Sequence, residues 1–139
     1  MTVSYVVLDT DVASNAFKHR ELPGPIVAAI VANRVCITFV TLGELTKWAV
    51  RRQWGPAYRR RLDAWLTKVI VLPISDEIND VARVWGELAG HAQNRGRPRP
   101  QNDMWVAACC LHYDLPLATL NVKDYRDFAE HEGLTLIAG

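Results

Sequence analysis

The feature that most constrains this chain is its opening apolar run. Val3 to Leu8 is an apolar and β-branched stretch, broken only by Ser4 and closed by Asp9. A run of this kind, without polar alternation along Tyr5 to Leu8, suits a strand buried on both faces of a parallel sheet. It also leaves an acid at the strand's C-terminal end. Apolar periodicity at Ile26, Ala29, Ile30 and Ala32 follows Pro23 and Pro25, and a second strand is expected at Val35 to Phe39. Thr41 to Val50 and Ala57 to Val69 read as two helices split by Gly55-Pro56, a helical hairpin. Val69 to Leu72 is a third strand. Ser75 is then expected to cap a long helix carrying Ile78, Val81, Ala82, Trp85, Leu88, Ala89 and Ala92 at spacings of three and four. RGRPRPQN is a loop on composition, and Asp103 opens a nearly all-apolar buried helix, MWVAACCL. Leu117 to Leu120 and Leu134 to Ile137 are the last strand candidates. Strands separated by helices imply right-handed crossovers and an α/β fold of three layers, with a central, mostly parallel sheet of four or five strands.

With 139 residues, half of them hydrophobic, the chain is expected to form one compact domain over residues 1–139. No apolar run reaches membrane-spanning length and the start lacks a signal-peptide pattern, so a cytoplasmic protein is expected. Cys36 stands alone while Cys109 and Cys110 are adjacent in a helix, a spacing suited to neither a disulfide framework nor a zinc site. They read as reduced packing residues.

Four carboxylates stand next to element boundaries: Asp9, Glu44, Asp103 and Asp124. Each has an ordinary structural role open to it. Asp9 and Asp11 suit a turn, Thr41-x-x-Glu44 fits a capping box, Asp103 suits a helix N-terminus, and Asn121-x-x-Asp124 resembles another cap. Together they say more, because ligands of an open parallel sheet collect beyond the carboxyl ends of its strands, where Asp9, Asn121 and Asp124 would lie. Carboxylates brought together repel unless protons or a cation neutralise them. Oxygen donors without a Cys or His cluster select Mg²⁺, or Mn²⁺, over zinc. Such an ion activates water and offsets charge on a phosphate, chemistry suited to phosphodiester hydrolysis.

The net charge of +1 conceals an asymmetry: with those four acids set aside, the 16 basic residues outnumber the remaining acids. Lys47, Arg51, Arg52, Arg59, Arg60, Arg61 and Lys68 fall in one helical stretch, and Arg95, Arg97 and Arg99 in the broken loop. Clusters like these suit phosphate contacts with a polyanion, although for a cation run alone a solvated helix face is the more ordinary explanation. None of His19, His91, His112 and His131 has a partner at metal-ligand or triad spacing. The chain contains no G-x-S-x-G and no phosphate-cradling glycine loop.

VVLDTDVAS, TLGEL, NDMWVAACC and LPLATLNVKDY, in that order and spanning nearly the whole chain, resemble the four signature blocks of the PIN-domain VapC toxins. The resemblance implies a Mg²⁺-dependent endoribonuclease of a VapBC toxin and antitoxin pair. Asp9, Glu44 and Asp103 match the family's metal-binding carboxylates, and Asp124 matches the acid of its late block. The family often has an acid where this chain has Asn121, and usually Asn or Ser where it has Asp11. The fourth ligand is therefore open between Asn121, Asp124 and Asp11. Thr10 matches a hydroxyl position that orients a ligand or the scissile phosphate. The resemblance further implies a homodimer and a VapB-like antitoxin whose C-terminal segment lies across the site. Arg95, Arg97 and Arg99 are candidate RNA-backbone contacts.

Two other readings compete. LDTD after an apolar strand offers the D-x-D of a haloacid-dehalogenase-type phosphatase, but Ala13 stands where that family wants Thr or Val, and LNVKDY supplies its late acidic pair poorly. A PIN-like module that binds RNA or a partner without cutting it is the other, and the intact acidic set argues against it. Trp48, Trp54 and Trp65 on the hairpin read first as core aromatics, with room for one or two of the five tryptophans at an interface.

Overall fold

The computed structural model describes residues 3–139. Its elements run β1 (Tyr5–Leu8), α1 (Thr10–Phe17), α2 (Gly24–Ala32), β2 (Arg34–Thr38), α3 (Phe39–Arg51), α4 (Pro56–Leu66), β3 (Ile70–Leu72), α5 (Ile78–Asn94), α6 (Gln101–Tyr113), β4 (Leu117–Ala118), α7 (Val122–Glu132) and β5 (Leu136–Ile137). The strands form one sheet in the order β3-β2-β1-β4-β5, with every pairing parallel. Among the described residues the sheet is thus wholly parallel, within the expectation of a mostly parallel one.

Period-two alternation along the strands splits the core between the two faces. Val7, Cys36, Leu72 and Leu117 face a cluster completed by α5, α6 and α7, including Val81, Leu88, Met104, Cys110 and Phe128. Val6, Leu8, Ile37 and Ala118 face the other, with Val12 and Phe17 of α1, Ile26 of α2 and Leu62 of α4. Helix α3 serves both, since Val40 joins the first cluster and Leu45 the second. The apolar run of β1 is therefore explained: its strand is central and needs hydrophobic side chains on both faces.

Chain order decides where a ligand can sit. From β1 the chain builds outward through β2 and β3, then crosses back to lay β4 on the other side of β1. The order reverses between β1 and β4, and such a switch point opens a crevice at the C-terminal strand ends.

Local differences from the sequence expectations have identifiable causes. Helix α3 begins at Phe39, capped by Thr38, whose hydroxyl accepts from the Thr41 amide at 3.4 Å. Thr41 is therefore inside the helix, and Glu44 lies in its second turn instead of closing a capping box. Ser75 caps nothing: it takes a positive φ of 48° in a turn, and α5 begins only at Ile78. Helices α1 and α7, whose sequences carry no strong apolar stripe, start directly after β1 and close behind β4. Gly133, at φ +80°, ends α7 in a left-handed conformation that glycine adopts without strain.

Candidate active site

Asp9 ends β1 and caps α1, with an extended backbone (φ −62°, ψ 161°) that turns its side chain back onto the first helical amide. Its Oδ1 accepts from the Thr10 amide at 2.9 Å and from the Tyr125 hydroxyl at 3.1 Å, and its Oδ2 accepts from the Thr119 hydroxyl at 2.9 Å. The Asp9 amide donates to the Ala118 carbonyl at 2.9 Å, so backbone and side chain together stitch β1 to β4 at the switch point. Asp9 is only 8% exposed. Burial raises its pKa, the three hydrogen bonds oppose that rise, and Asp11 adds to it.

Glu44 reaches the same place from α3. The Thr10 hydroxyl donates to Glu44 Oε1 at 2.7 Å and lies 2.9 Å from the buried Thr41 hydroxyl, so two threonines on different helices fix this acid. Asp103 comes from the first turn of α6, and the Tyr125 hydroxyl stands 3.4 Å from its Oδ1. Burial first, then the charges of Asp124 and Asp9, push the Asp103 carboxyl up to about 6. Asp124, in the first turn of α7, completes the group.

Asp9, Thr10, Asp11, Glu44, Asp103, Asn121 and Asp124 line one cleft together with Trp48, Asn102, Val106 and Tyr125. All seven cleft positions singled out in the sequence are thus brought together. The cleft holds about 200 Å³, enough for a metal ion and a phosphate group. The amide of Asn121 donates to Asp11 Oδ2 at 2.6 Å, leaving the Asn121 side-chain oxygen as the donor atom it can offer a cation. Asn121 does not cap α7 through its side chain, so that capping role is not taken up, whereas Asp103 does lie in the first turn of α6, where a carboxylate suits the helix N-terminus.

The arginine loop divides. Arg95 turns away from the cleft: its guanidinium donates to Asp127 at 2.6 Å and to Glu132 at 2.9 Å. Asp127 is 5% exposed, and a buried carboxylate needs a cation beside it. The expectation that Arg95 meets RNA is therefore corrected to a structural one. Arg99 donates to the Asp124 main-chain oxygen at 3.0 Å and lowers the pKa of Asp103, bracing the start of α7. Arg97 is exposed and lies in no ion pair among the described residues.

Tyr125, Thr119, Thr41, Asn102 and Trp48 were not singled out as site residues in the sequence. Thr119 and Tyr125 flank Asn121 and Asp124 within the late block, so that block held the signal. Thr41 read as a cap, and its real role depends on a helix register that periodicity does not fix. The cysteine thiols are pushed up by burial, Cys36 to about 11 and Cys109 to about 12, which suits packing residues and not nucleophiles.

The donor set fits a hard divalent cation. Among the described residues no three acidic, His or Cys side chains lie close enough together to form a metal-binding group as they stand. The open, carboxylate-lined cleft instead matches the habit of Mg²⁺, which keeps several waters and takes one or two carboxylates directly. Burial raises the carboxyl groups of both Asp9 and Asp103, and a bound cation would bring them down again.

A parallel α/β sheet with a carboxylate cleft at its switch point is the architecture of the PIN domain, and the PIN domain model matches residues 6–133. The chain belongs to the PIN-domain family. Within it the chain is similar to Ribonuclease VapC5 of Mycobacterium tuberculosis (strain ATCC 25618 / H37Rv), 34% identical over 130 residues covering 91% of this chain and 87% of that protein. Among solved structures it is similar to VapBC-5 from Mycobacterium tuberculosis, a member of the VapBC family of toxin-antitoxin systems, with TM-score 0.68 and 29% identity over 98% of this chain and 99% of that one. VapBC2 from Rickettsia felis, bound to a DNA fragment from their promoter, shares the fold at TM-score 0.77 and 20% identity, covering 97% and 98%.

Proposed function

We propose that the protein is a Mg²⁺-dependent endoribonuclease, the toxin of a VapBC-type pair, acting in the cytoplasm as a single PIN domain. The observation that carries this reading is that Asp9, Glu44, Asp103 and Asp124, each delivered by a different element, line one cleft. These four would hold the metal, with Asn121 or Asp11 completing the set, directly or through water. Mn²⁺ is the expected substitute. When bound, the cation supplies a lowered water pKa and charge stabilisation at the scissile phosphate.

The chain's own residues do the positioning. Thr119, Tyr125 and the Thr10 amide hold Asp9 in one orientation, and Thr10 with Thr41 does the same for Glu44. No side chain is placed as a nucleophile, so a covalent intermediate is not expected. That separates this reading from an aspartyl phosphatase. The resemblance to VapBC proteins supports a VapB-like antitoxin as partner and a homodimer as the assembly.

The experiment is incubation of the antitoxin-free protein with total bacterial RNA in Mg²⁺ or EDTA, with Asp9→Asn alongside and the cut ends mapped. Discrete metal-dependent cuts absent from the variant are expected. Intact RNA under every condition would sink the nuclease reading and favour a binding module.

A further inference from the structure

Helix α3 carries a second row of residues that leads out of the cleft. Glu44 and Trp48 are one turn apart on the same helix, about 6 Å along its axis, and both line the acidic cleft. Trp48 also lines an adjoining open pocket of about 530 Å³, whose other walls are Lys47, Arg51 and Arg52. The Arg52 guanidinium sits 4.9 Å from the centre of the Trp48 ring. Among the described residues, none of these three cations is in an ion pair.

Trp54, the other tryptophan of the hairpin turn, also has a cation over its ring, Lys18 at 5.3 Å, but it lines neither the cleft nor the adjoining pocket. Trp54 packs against Phe17 and Tyr58, ring centres 5.8 and 4.7 Å away, as a core aromatic does. Trp48 borders the core with part of its ring and two pockets of opposite charge with the rest. An aromatic ring backed by an arginine and surrounded by unpaired cations is what an unstacked base with its flanking phosphates requires. An acidic protein segment would use the cations but has no need of the ring.

We propose that Trp48 is a base-stacking platform for an unpaired RNA strand passing into the acidic cleft, with Lys47, Arg51 and Arg52 binding its phosphates. This rests on the ribonuclease reading and adds to it the wall on which the strand beside the cut is held.

The test uses the full chain carrying Asp9→Asn, so that binding is read without cleavage. The probes are fluorescein-labelled 12-mers of oligo(A) and oligo(U), an RNA duplex of equal length and an oligoglutamate peptide, followed by anisotropy at several salt concentrations. Trp48→Leu keeps an apolar side chain against the core and removes the π-face; it should weaken single-strand binding on the order of tenfold with an unchanged salt slope. Trp48→Phe should bind within about twofold of the parent. Arg51→Gln should flatten the slope by about 0.7, the value for one phosphate contact on a single strand. Duplex binding should not respond to Trp48→Leu.

Equal losses in the Leu and Phe variants would mean that Trp48 only packs, and the platform would be wrong. A Trp48-dependent preference for the acidic peptide over RNA would overturn it in favour of a protein partner. Wild-type cleavage with undiminished binding by Trp48→Leu removes the platform alone. No cleavage and no RNA binding by any form removes the ribonuclease reading with it.

Discussion

The hydroxyl of Thr10 donates to Glu44 at 2.7 Å, tying the residue after Asp9 to the acid delivered by α3. One threonine thereby sets the distance between two carboxylates that come from elements far apart in sequence. Thr10→Val keeps the shape and removes the donor. It should reduce Mg²⁺ affinity or cleavage by about 10- to 100-fold, as loss of a bond that orients a metal ligand generally does. Thr10→Ser should stay near wild type. Isothermal titration with Mg²⁺ on both variants checks this, and equal behaviour of Val and Ser would show that Glu44 does not need the bond.

Tyr125 plays the same part between Asp9 and Asp103, its hydroxyl 3.1 and 3.4 Å from their oxygens. The ring is 1% exposed, so Tyr125→Phe leaves packing intact and removes only the donor. Asp9 then loses one of three partners while remaining buried. We expect the metal-free protein to lose about 1–2 kcal/mol of stability at neutral pH. Saturating Mg²⁺ should recover part of it, because a cation takes over the neutralising role. Denaturant melts with and without Mg²⁺ measure both quantities.

The acidic blocks were readable because each lies where local pattern and chemistry agree: an apolar strand ending in Asp9, a buried helix opening near Asp103, a late strand leading to Asn121 and Asp124. What local pattern did not contain was the cross-chain partnership. Thr119 to Asp9 and Tyr125 to Asp103 depend on β4 lying beside β1, a pairing set by topology. Arg95 shows the converse. Its loop looked like a basic patch by composition, yet the side chain is taken by Asp127, an acid that reads as a solvated helix position until α7 is packed. The start of α1 stayed hidden because it opens with Thr10 and Asp11, polar residues that build the cleft, whereas the start of α7 was legible at Asn121.

The Asp103 carboxyl, pushed up to about 6 by burial and by Asp124 and Asp9, gives a pH dependence with a definite sign. Its folded-state pKa lies above the ordinary 3.8, so the folded protein favours the protonated form. The stabilisation from that proton is fully present below about 3.8 and is lost as pH rises through 6. Asp9, raised in the same direction, adds to the trend. In EDTA, this site should therefore favour the folded state more at pH 5 than at pH 7.5, and Asp103→Asn should flatten that difference. In Mg²⁺ the order reverses at the site, since the metal competes with the proton, and cleavage should fall as pH drops from 7 to 5. Paired melts of the wild type and the Asp103→Asn variant isolate this contribution from other titrating groups.

Arg95 separates structure from substrate binding. Burial by itself would raise the pKa of Asp127, but the hydrogen bond and charge of Arg95 outweigh it and hold that carboxyl low. Arg95→Ala leaves a carboxylate that is 5% exposed with only His131, 3.5 Å away and charged only when protonated, beside it, and takes the arginine from Glu132 as well. The expected cost is about 3 kcal/mol, in the range for breaking a buried pair from one side. Asp127 is then ionised at a cost, so the loss should shrink as pH falls and the stranded carboxylate takes up a proton. RNA binding by the folded fraction should keep its salt slope. Arg97→Ala should do the opposite, leaving stability within about 0.5 kcal/mol, as exposed substitutions usually do, while flattening the slope if that side chain meets a phosphate. Melting curves and salt-dependent anisotropy on the two variants would show whether the loop holds α7 with one arginine and offers another to the strand.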